Sequence, residues 1–303
     1  MENPLVSIVL TSYNHLNLLK KALKSLLEQT YASIEIVIVD DGSTDGSREW
    51  IVEQSKMYPE RIVAFLQPFN VGLAKNKNTG FKLAKGEFIT LCDGDDFYFP
   101  DKIEKELELL LNDTNCNISF SNFEIHRDGK VKNWAESHNS SMPFGYILSD
   151  MLLEKFPMKL IPRFPLYRRT VFEQIGYYAE NLKSDFYEDW DFLIRAAQKF
   201  YFAYNPSVGS VYVNNSKSVV NSVKMSFLLT CHRNILLKYS SLVSQLGEEG
   251  AALNNFEESH DRMITYNLFL EKSEKRTEAY LEFVKKYGFD FKTLRLYLMS
   301  FIR

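Results

Sequence analysis

The sequence lacks any long run of apolar residues, and no stretch approaches the ~20 residues of a membrane-spanning helix. Its three cysteines, Cys92, Cys116 and Cys231, are too few and too scattered for a disulfide framework or a metal site, so we expect buried thiols in a reducing compartment. No basic segment precedes the short apolar run near the first residue, so no signal peptide is expected. We therefore predict a cytoplasmic location, with association at the inner membrane face as a further expectation.

A strong excess of either charge is also missing, since 36 basic and 39 acidic residues leave a net charge of −3. This balance gives no global attraction to nucleic acid, and no nucleic-acid partner is predicted. Apolar residues make up 45% and aromatic residues 14% of the 303 positions, which is ample for a packed core. The length allows one large domain, or one domain with an appendage.

The first third of the chain predicts alternating strands and helices. Short β-branched apolar runs predict buried strands, and apolar residues at helical spacing predict helices. The predicted strands are Leu5–Leu10, Ile34–Val39, Ile62–Leu66 and Phe88–Cys92, and the predicted helices are Leu16–Leu27, Ser47–Met57 and the later part of Asn70–Leu83. A strand, a helix and a strand within about 35 residues indicate a parallel sheet with a right-handed crossover.

The rest of the chain predicts a less regular middle and a helical end. The predicted middle elements are strand Asn117–Ile125 paired with Lys130–Trp134, helices Phe144–Phe156, Thr170–Ile175 and Asp189–Lys199, and strands Phe202–Tyr204 and Ser210–Val213. From about Ser216 the pattern is helical. We predict an α/β domain over residues 1–220, with halves of about 1–115 and 116–220, followed by a helical extension over 221–303.

Polar clusters follow three of the predicted strands, at Thr11–Asn14, Asp40–Asp45 and Asp93–Asp96. In open parallel sheets the carboxyl ends of the strands form the ligand crevice, so these clusters are expected to converge. The three carboxylates of Asp93–Asp96 repel one another unless a cation lies between them. A hard divalent ion with oxygen ligands would relieve the repulsion and could hold a phosphate. The alternative is a polar turn that caps the next helix.

Six segments, in this order and spacing, resemble family 2 glycosyltransferases with the GT-A fold. They are VSIVLTSYN (Val6–Asn14), SLLEQTY (Ser25–Tyr31), IEIVIVDDGSTD (Ile34–Asp45), NVGLAKNKNTG (Asn70–Gly80), GEFITLCDGDDFYFPDKI (Gly86–Ile103) and EDWDFLIR (Glu188–Arg195). The resemblance implies a Rossmann-like, mostly parallel central sheet flanked by helices. It also implies inverting transfer of a sugar from a nucleotide-diphosphate donor, a UDP-sugar, to a hydroxyl of a saccharide or lipid-linked saccharide. High Lys, Asn, Phe and Tyr usage favours a bacterial surface-polysaccharide enzyme.

The resemblance also implies roles for residues of the first half. The donor-binding set is Thr11, Ser12, Tyr13, Asp40, Asp41, Lys77, Asp93 and Gly94. Tyr13 would stack on uracil, Asp41 would accept from the base N–H, and Lys77 would pair with phosphate. Asp95 and Asp93 would bind Mn²⁺ or Mg²⁺, which would stabilise the departing nucleoside diphosphate. The alternatives are a capped helix-start turn for Asp40–Asp45 and a solvated surface lysine for Lys77.

On the acceptor side, the resemblance implies Asp189 as general base, with Glu188 and Trp190 shaping the acceptor pocket. Asp191 would be structural, paired with Arg195 four residues on. The alternative is that these acids only favour a helix N-terminus through its dipole. One departure concerns the metal site, because Asn215 stands where family members often have a histidine; its amide oxygen could still ligate a hard cation. The alternative for the whole chain is a catalytically impaired protein that binds nucleotide-sugar or glycan.

The last residues, 290–303, predict an amphipathic helix with Leu294, Leu298 and Phe301 on one face. Apolar stripes usually pack in a core, so packing within the fold is the favoured interpretation. Peripheral membrane contact and a homodimer interface through the C-terminal helices are the alternatives.

Overall fold

A computed structural model of the chain describes residues 3–138, 144–152, 162–182, 186–214, 223–245, 251–288 and 291–299. The chain divides into two compact units, Met1–Asn214 and Asn215–Arg303. The first unit is mixed α/β and the second is helical, so the predicted fold class is confirmed. The predicted domain limits of 1–220 and 221–303 stay a prediction.

The first unit has nine strands and eight helices within its described residues. The strands are β1 (Val6–Ser12), β2 (Ile34–Asp40), β3 (Ile62–Leu66), β4 (Phe88–Cys92), β5 (Phe97–Tyr98), β6 (Cys116–Arg127), β7 (Lys130–Asn133), β8 (Leu166–Arg168) and β9 (Tyr201–Val213). The helices are α1 (Leu16–Leu27), α2 (Ser47–Met57), α3 (Leu73–Leu83), α4 (Lys102–Asn112), α5 (Trp134–His138), α6 (Leu148–Leu152), α7 (Arg169–Ile175) and α8 (Glu188–Ala197).

The described strands form one sheet in the order β3-β2-β1-β4-β8-β6-β9-β5, with β7 added beside β6. The four strands β3, β2, β1 and β4 are parallel, with Val6 paired to both Ile34 and Phe88. The short strand β8 is antiparallel to both of its neighbours, and the long strands β6 and β9 are parallel to each other. The carboxyl ends of β1, β2 and β4 therefore lie along the same edge.

Helix α1 and strand β1 illustrate how the sequence pattern determines the packing. Alternate residues of β1, which share one face of the sheet, lie in the same core cluster as the apolar stripe of α1. These residues are Val6, Ile8 and Leu10 on β1, and Leu19, Ala22, Leu23 and Leu26 on α1. All seven residues of β1 are buried, as are those of β2, because helices cover both faces of a parallel sheet.

The predicted elements of the first ninety residues are confirmed, and the bounds of α1, α2, β3 and β4 match the prediction. The predicted hairpin of β6 and β7 is also present. Two differences concern strands: the predicted strands at Phe202–Tyr204 and Ser210–Val213 form one strand, β9, and the short strands β5 and β8 were not predicted. Both short strands are held by partners that are distant in sequence, which a local pattern does not reveal.

A buried ion pair lies on α4. Lys102 Nζ is 2.7 Å from Glu106 Oε2, and both side chains are fully buried. Burial lowers the pKa of Lys102 and raises the pKa of Glu106, and the attraction between the two charges opposes both shifts. Lys102 Nζ also donates to the Phe164 carbonyl at 2.8 Å, and Ser121 donates to Glu106 Oε1 at 2.8 Å. The pair thus joins α4 to β6 and to the segment before β8.

The second unit contains helices only, within its described residues. They are α9 (Met225–Lys238), α10 (Ser240–Ser244), α11 (Ala251–Leu270), α12 (Arg276–Tyr287) and α13 (Phe291–Met299). Of the helices in the described ranges, none combines the length and the hydropathy needed to cross a membrane. The Tyr297 ring on α13 stacks on Tyr280 of α12 at 4.5 Å, which supports the packing interpretation of the final helix.

We predict that Lys102→Met lowers the free energy of unfolding by about 3–5 kcal/mol, because it leaves Glu106 as an unpaired buried charge. The double variant Lys102→Met/Glu106→Gln is expected to recover at least about 1 kcal/mol of this loss. Urea denaturation measures both effects. The control is Lys105→Met on the same helix, whose ion pair with Asp101 is exposed and should contribute less than about 1 kcal/mol. Equal losses in the single and double variants would contradict the prediction.

Candidate active site

The loops after β1, β2 and β4 meet at the carboxyl edge of the parallel strands, as predicted. The Asn14 amide oxygen accepts from the Thr44 N–H at 2.8 Å, which joins the first loop to the second. The Thr11 hydroxyl donates to Asp93 Oδ1 at 3.1 Å, which joins the first loop to the third. The parallel register of the three strands therefore brings together residues from positions 11 to 96.

The loop after β2 is built around Asp40. This carboxylate is 0% exposed and accepts from the N–H groups of Gly42 and Ser43 and from the Ser43 hydroxyl. Arg48 Nη1 lies 3.3 Å from its Oδ2. These donors enclose Asp40 and stabilise the turn, which is a form of the capped turn that the sequence left open as an alternative. The predicted place of Asp40 in the donor-binding set stays a prediction.

Asp41, the next residue, connects three segments. Its N–H donates to the Ser12 carbonyl at 2.8 Å, and its Oδ1 accepts from the Val71 N–H at 2.7 Å. Tyr13, the residue after Ser12, is 45% exposed, so its ring is accessible to a planar ligand. The Ser12 hydroxyl is buried and has no hydrogen-bond partner among the described residues. Contact of these residues with a nucleotide base stays a prediction.

The acidic loop after β4 packs tightly against the first loop. A Cβ at Gly94 would overlap the Thr11 carbonyl and would lie 2.5 Å from His15 Nε2, so glycine is required by close approach. Asp96 is buried and its Oδ1 accepts from the Val213 N–H at 2.7 Å. Burial and the neighbouring acids raise the pKa of both Asp95 and Asp96. The loop therefore holds carboxylates whose charges are disfavoured in the absence of a cation.

Lys77 of α3 lies between two of these acids. Its Nζ is 3.1 Å from Glu188 Oε1 and 3.4 Å from Asp93 Oδ1, and its side chain is only 5% exposed. The alternative of a solvated surface lysine is therefore wrong. Burial opposes its charge, but the attraction of Asp93, Glu188 and Asp189 prevails and raises the pKa of Lys77. Burial raises the pKa of Glu188 to about 7, because one lysine shared between acids compensates it only in part.

Asp189 lies at the start of α8 and lines a small cavity of about 30 Å³. Its Oδ1 accepts from the Trp190 N–H at 2.8 Å. The cavity is also lined by Lys77 and Asp93 from the acidic side, and by Arg163, Tyr167, Tyr178 and Leu193. The predicted general base and one predicted metal ligand thus face the same space.

The other predicted residues of α8 are placed differently. Trp190 is 1% exposed and is part of the core, and its predicted place in the acceptor pocket stays a prediction. The alternation of side-chain directions on a helix explains this, because a residue next to a cleft-facing one turns about 100° away. Glu188 is buried against Lys77 rather than lining the cavity. Asp191 pairs with Arg195 at 3.0 Å, as predicted.

Comparison with known proteins identifies the family. Residues 7–176, more than half of the chain, match the family described as Glycosyl transferase family 2. The chain belongs to this family.

Two relatives of this family 2 member illustrate its range. This chain is 30% identical over 212 residues to an uncharacterized glycosyltransferase of Bacillus subtilis, YwdF, and the match covers 68% of this chain and 73% of YwdF. It is 33% identical over 131 residues to WfgD of Escherichia coli, described as a UDP-Glc:alpha-D-GlcNAc-diphosphoundecaprenol beta-1,3-glucosyltransferase. That match covers 43% of this chain and 50% of WfgD.

Three solved structures share the fold of this family 2 chain. The S. aureus TarS 1–349 complex with UDP-GlcNAc has a TM-score of 0.61 at 18% identity, covering 98% of this chain and 79% of that one. The match to a longer S. aureus TarS chain covers 96% of this chain and 50% of the TarS chain. The mannosyltransferase PcManGT of Pyrobaculum calidifontis, solved with GDP-Man and Mn²⁺, has a TM-score of 0.59 at 16% identity, covering 99% and 80%.

The acids of the loop after β4 are the right type of ligand for a hard divalent cation, but two of them do not fill its coordination shell. Asp93 and Asp95 offer carboxylate oxygens, the ligands that such ions prefer. Within the described ranges, no group of three or more His, Cys, Asp or Glu residues forms a metal-binding cluster. Since Mg²⁺ is commonly held by one or two carboxylates together with substrate phosphates, these two residues fit an ion that shares its ligands with a diphosphate. Asn215, the predicted additional ligand, lies outside the described residues.

Three residues of the cavity were missed from the sequence, namely Arg163, Tyr167 and Tyr178. They belong to the irregular region between β7 and α8, where no periodic pattern or motif spacing marks a functional position. The one available signal was the pair of prolines, Pro162 and Pro165, that flanks Arg163 and fixes the local backbone.

We predict that Glu188 makes stability depend on pH. Its pKa is raised to about 7 in the folded chain, so its stabilising contribution is complete below its ordinary pKa of 4.5 and is lost as the pH rises through about 7. From about pH 5 to about pH 8, wild-type protein should lose about 1–3 kcal/mol relative to Glu188→Gln. Urea unfolding at several pH values measures this difference.

The matched control is Glu173→Gln, an exposed residue of α7, which should follow the wild-type pH profile. Parallel pH profiles for Glu188→Gln and the wild type would refute the assignment.

Proposed function

We propose that this protein transfers a sugar, with inversion, from a UDP-sugar to a hydroxyl of a saccharide or lipid-linked saccharide. The observation that carries the proposal is that Asp189 and Asp93 line one cavity from two sides, with Asp95 two residues after Asp93 on the same loop. One carboxylate is then available to a hydroxyl, and two are available to a cation beside the leaving group. Membership of glycosyl transferase family 2 supports sugar transfer as the reaction.

In the proposed reaction, the acceptor hydroxyl oxygen bonds to the anomeric carbon as the bond from that carbon to the UDP oxygen breaks. Asp189 takes the hydroxyl proton, and the departing UDP keeps the electron pair. Attack and departure occur on opposite faces of the sugar, as in inverting glycoside hydrolysis. Oδ1 of Asp189 accepts a hydrogen bond from the Trp190 N–H, and this contact orients the carboxylate. Oδ2 of Asp189 has no hydrogen-bond donor among the described residues and is available to the acceptor hydroxyl.

A divalent cation held by Asp95 and Asp93 would supply positive charge for the diphosphate as it leaves. Lys77 holds Asp93 and Glu188 at fixed positions through its two ion pairs. Thr11 donates a further hydrogen bond to Asp93. These contacts would hold the Asp93 carboxylate in place before the substrate binds. Charged groups that are already in position stabilise a transition state without the cost of reorganisation.

The relatives support the choice of donor and acceptor classes. WfgD is described as using UDP-Glc and a lipid-linked diphosphate acceptor, and TarS was solved with UDP-GlcNAc. PcManGT was solved with GDP-Man and Mn²⁺, which supports a metal-assisted reaction in this fold. We extend the UDP donor, the saccharide or lipid-linked acceptor and the Mn²⁺ or Mg²⁺ ion to this chain as parts of the proposal. A lipid-linked acceptor would place the enzyme at the inner membrane face.

We expect UDP release from UDP-glucose or UDP-GlcNAc to require Mn²⁺ or Mg²⁺ and to fall at least about 100-fold in Asp95→Ala, because the diphosphate would then leave without its compensating charge. A coupled UDP-release assay, with and without EDTA, measures the rate. Asp128→Asn, in the exposed turn between β6 and β7, is the control and should retain the wild-type rate. Full activity in EDTA would rule out the metal.

Asp189→Asn is expected to lower kcat about 100- to 10,000-fold, because the amide keeps the shape of the side chain but cannot take the proton. Donor affinity, measured by isothermal titration calorimetry, should change less than about threefold, since the base acts on the acceptor. Unchanged kcat would exclude Asp189 as the base. Donor binding by wild-type protein without turnover on any acceptor would instead indicate a binding protein.

A further inference from the structure

The segment before β8 has an unusual backbone. Phe164 has a φ of +49°, in the left-handed region that bulky residues rarely adopt. Its carbonyl accepts from two buried groups, Lys102 Nζ at 2.8 Å and the Thr90 hydroxyl at 3.2 Å. Pro162 and Pro165 stand on either side of Arg163 and Phe164 and restrict the backbone angles of this short segment. The conformation is therefore fixed by the fold, and such fixed strain is often found where a side chain must be placed for function.

The residue placed by this segment is Arg163. Arg163 lines the cavity together with Lys77, Asp93 and Asp189. Its guanidinium carbon lies 4.0 Å from the centre of the Tyr212 ring, a cation–π contact that fixes the group in place. Among the described residues, no carboxylate or carbonyl forms a hydrogen bond or an ion pair with it. The five N–H donors of this arginine are thus not used by the described protein groups.

Nearby arginines in the chain differ in this respect. Their guanidinium groups donate to backbone carbonyls or to a carboxylate: Arg168 to the carbonyls of Cys116 and Leu110, Arg169 to those of Ala84 and Gly86, and Arg195 to Asp191 and the carbonyls of Ile175 and Tyr177. These three arginines hold the fold together. Arg163 is the exception in this stretch of described residues, which indicates a ligand rather than a structural partner.

Lys77, the lysine that lines the same cavity, already has two carboxylate partners, and its predicted pairing with the donor phosphate stays a prediction. Lys77 already neutralises Asp93 and Glu188, so an anion would have to compete with two carboxylates for it. A phosphate or a carboxylate group of the substrate that enters the cavity would meet Arg163 as well as Lys77. Planar guanidinium groups bind such oxyanions through two parallel hydrogen bonds.

We propose that Arg163 is an anion-binding residue of the active site that takes an oxyanion of the substrate. The oxyanion belongs either to the diphosphate of the nucleotide donor or to a carboxylate carried by the transferred sugar. This inference rests on the proposed function and adds to it a residue that recognises negative charge on the substrate.

The test is isothermal titration calorimetry of the full chain with UDP, UDP-glucose and UDP-glucuronic acid in the presence of Mn²⁺. Arg163→Gln should weaken binding about 10- to 100-fold, the range expected for a lost charge-assisted contact. An equal loss for all three ligands assigns the oxyanion to the diphosphate. A loss confined to UDP-glucuronic acid assigns it to the sugar carboxylate.

Two further variants make the outcome decisive. Arg127→Gln replaces an exposed arginine at the end of β6 and should bind all ligands as the wild type does. Arg163→Lys keeps the charge but loses the paired hydrogen bonds, so it should bind with intermediate affinity and also serves if Arg163→Gln fails to fold. Affinities equal to those of Arg127→Gln for all three ligands would overturn the inference. Wild-type protein that binds none of them would overturn the proposed function itself.

Discussion

The candidate site depends on a single buried lysine. Lys77 comes from α3, Asp93 from the loop after β4, and Glu188 from the start of α8, and the two ion pairs join them at 3.4 and 3.1 Å. In sequence these residues are up to 111 positions apart. A charge buried to this degree is tolerable only with opposite charge beside it, so the lysine fixes the distance between the two acidic elements.

The sheet explains why the acids gather at all. Parallel strands put their carboxyl ends on one edge, so the loops after β1, β2 and β4 meet whatever their sequence. What the sequence adds is the choice of side chains there, and glycine at position 94, where only a hydrogen fits against the Thr11 carbonyl. The fold thus supplies proximity, and the residues supply a local excess of negative charge.

Much of this arrangement could be predicted from local pattern. The strands and helices up to Cys92 follow from apolar periodicity, and the meeting of their loops follows from parallel topology. Burial of individual side chains could not be predicted, because it depends on contacts made across the fold. Asp40 and Trp190 have the residue types of a binding site but are enclosed, whereas Arg163 is in a region without a pattern and lines the cavity.

The charges of the site can be separated by what each one does. Asp40 and Asp191 have arginine or backbone partners and serve the fold, and Lys102 with Glu106 does the same beneath β6. Lys77 has more carboxylates around it than it can neutralise, which is why burial still raises the pKa of Glu188 to about 7. The described residues therefore leave negative charge only partly compensated at the Asp93–Asp96 loop, and they leave the N–H donors of Arg163 without a hydrogen bond. A bound cation would compensate the acidic loop, and an anionic group of the substrate would accept from Arg163. Both ligands are needed to satisfy the two sets of groups.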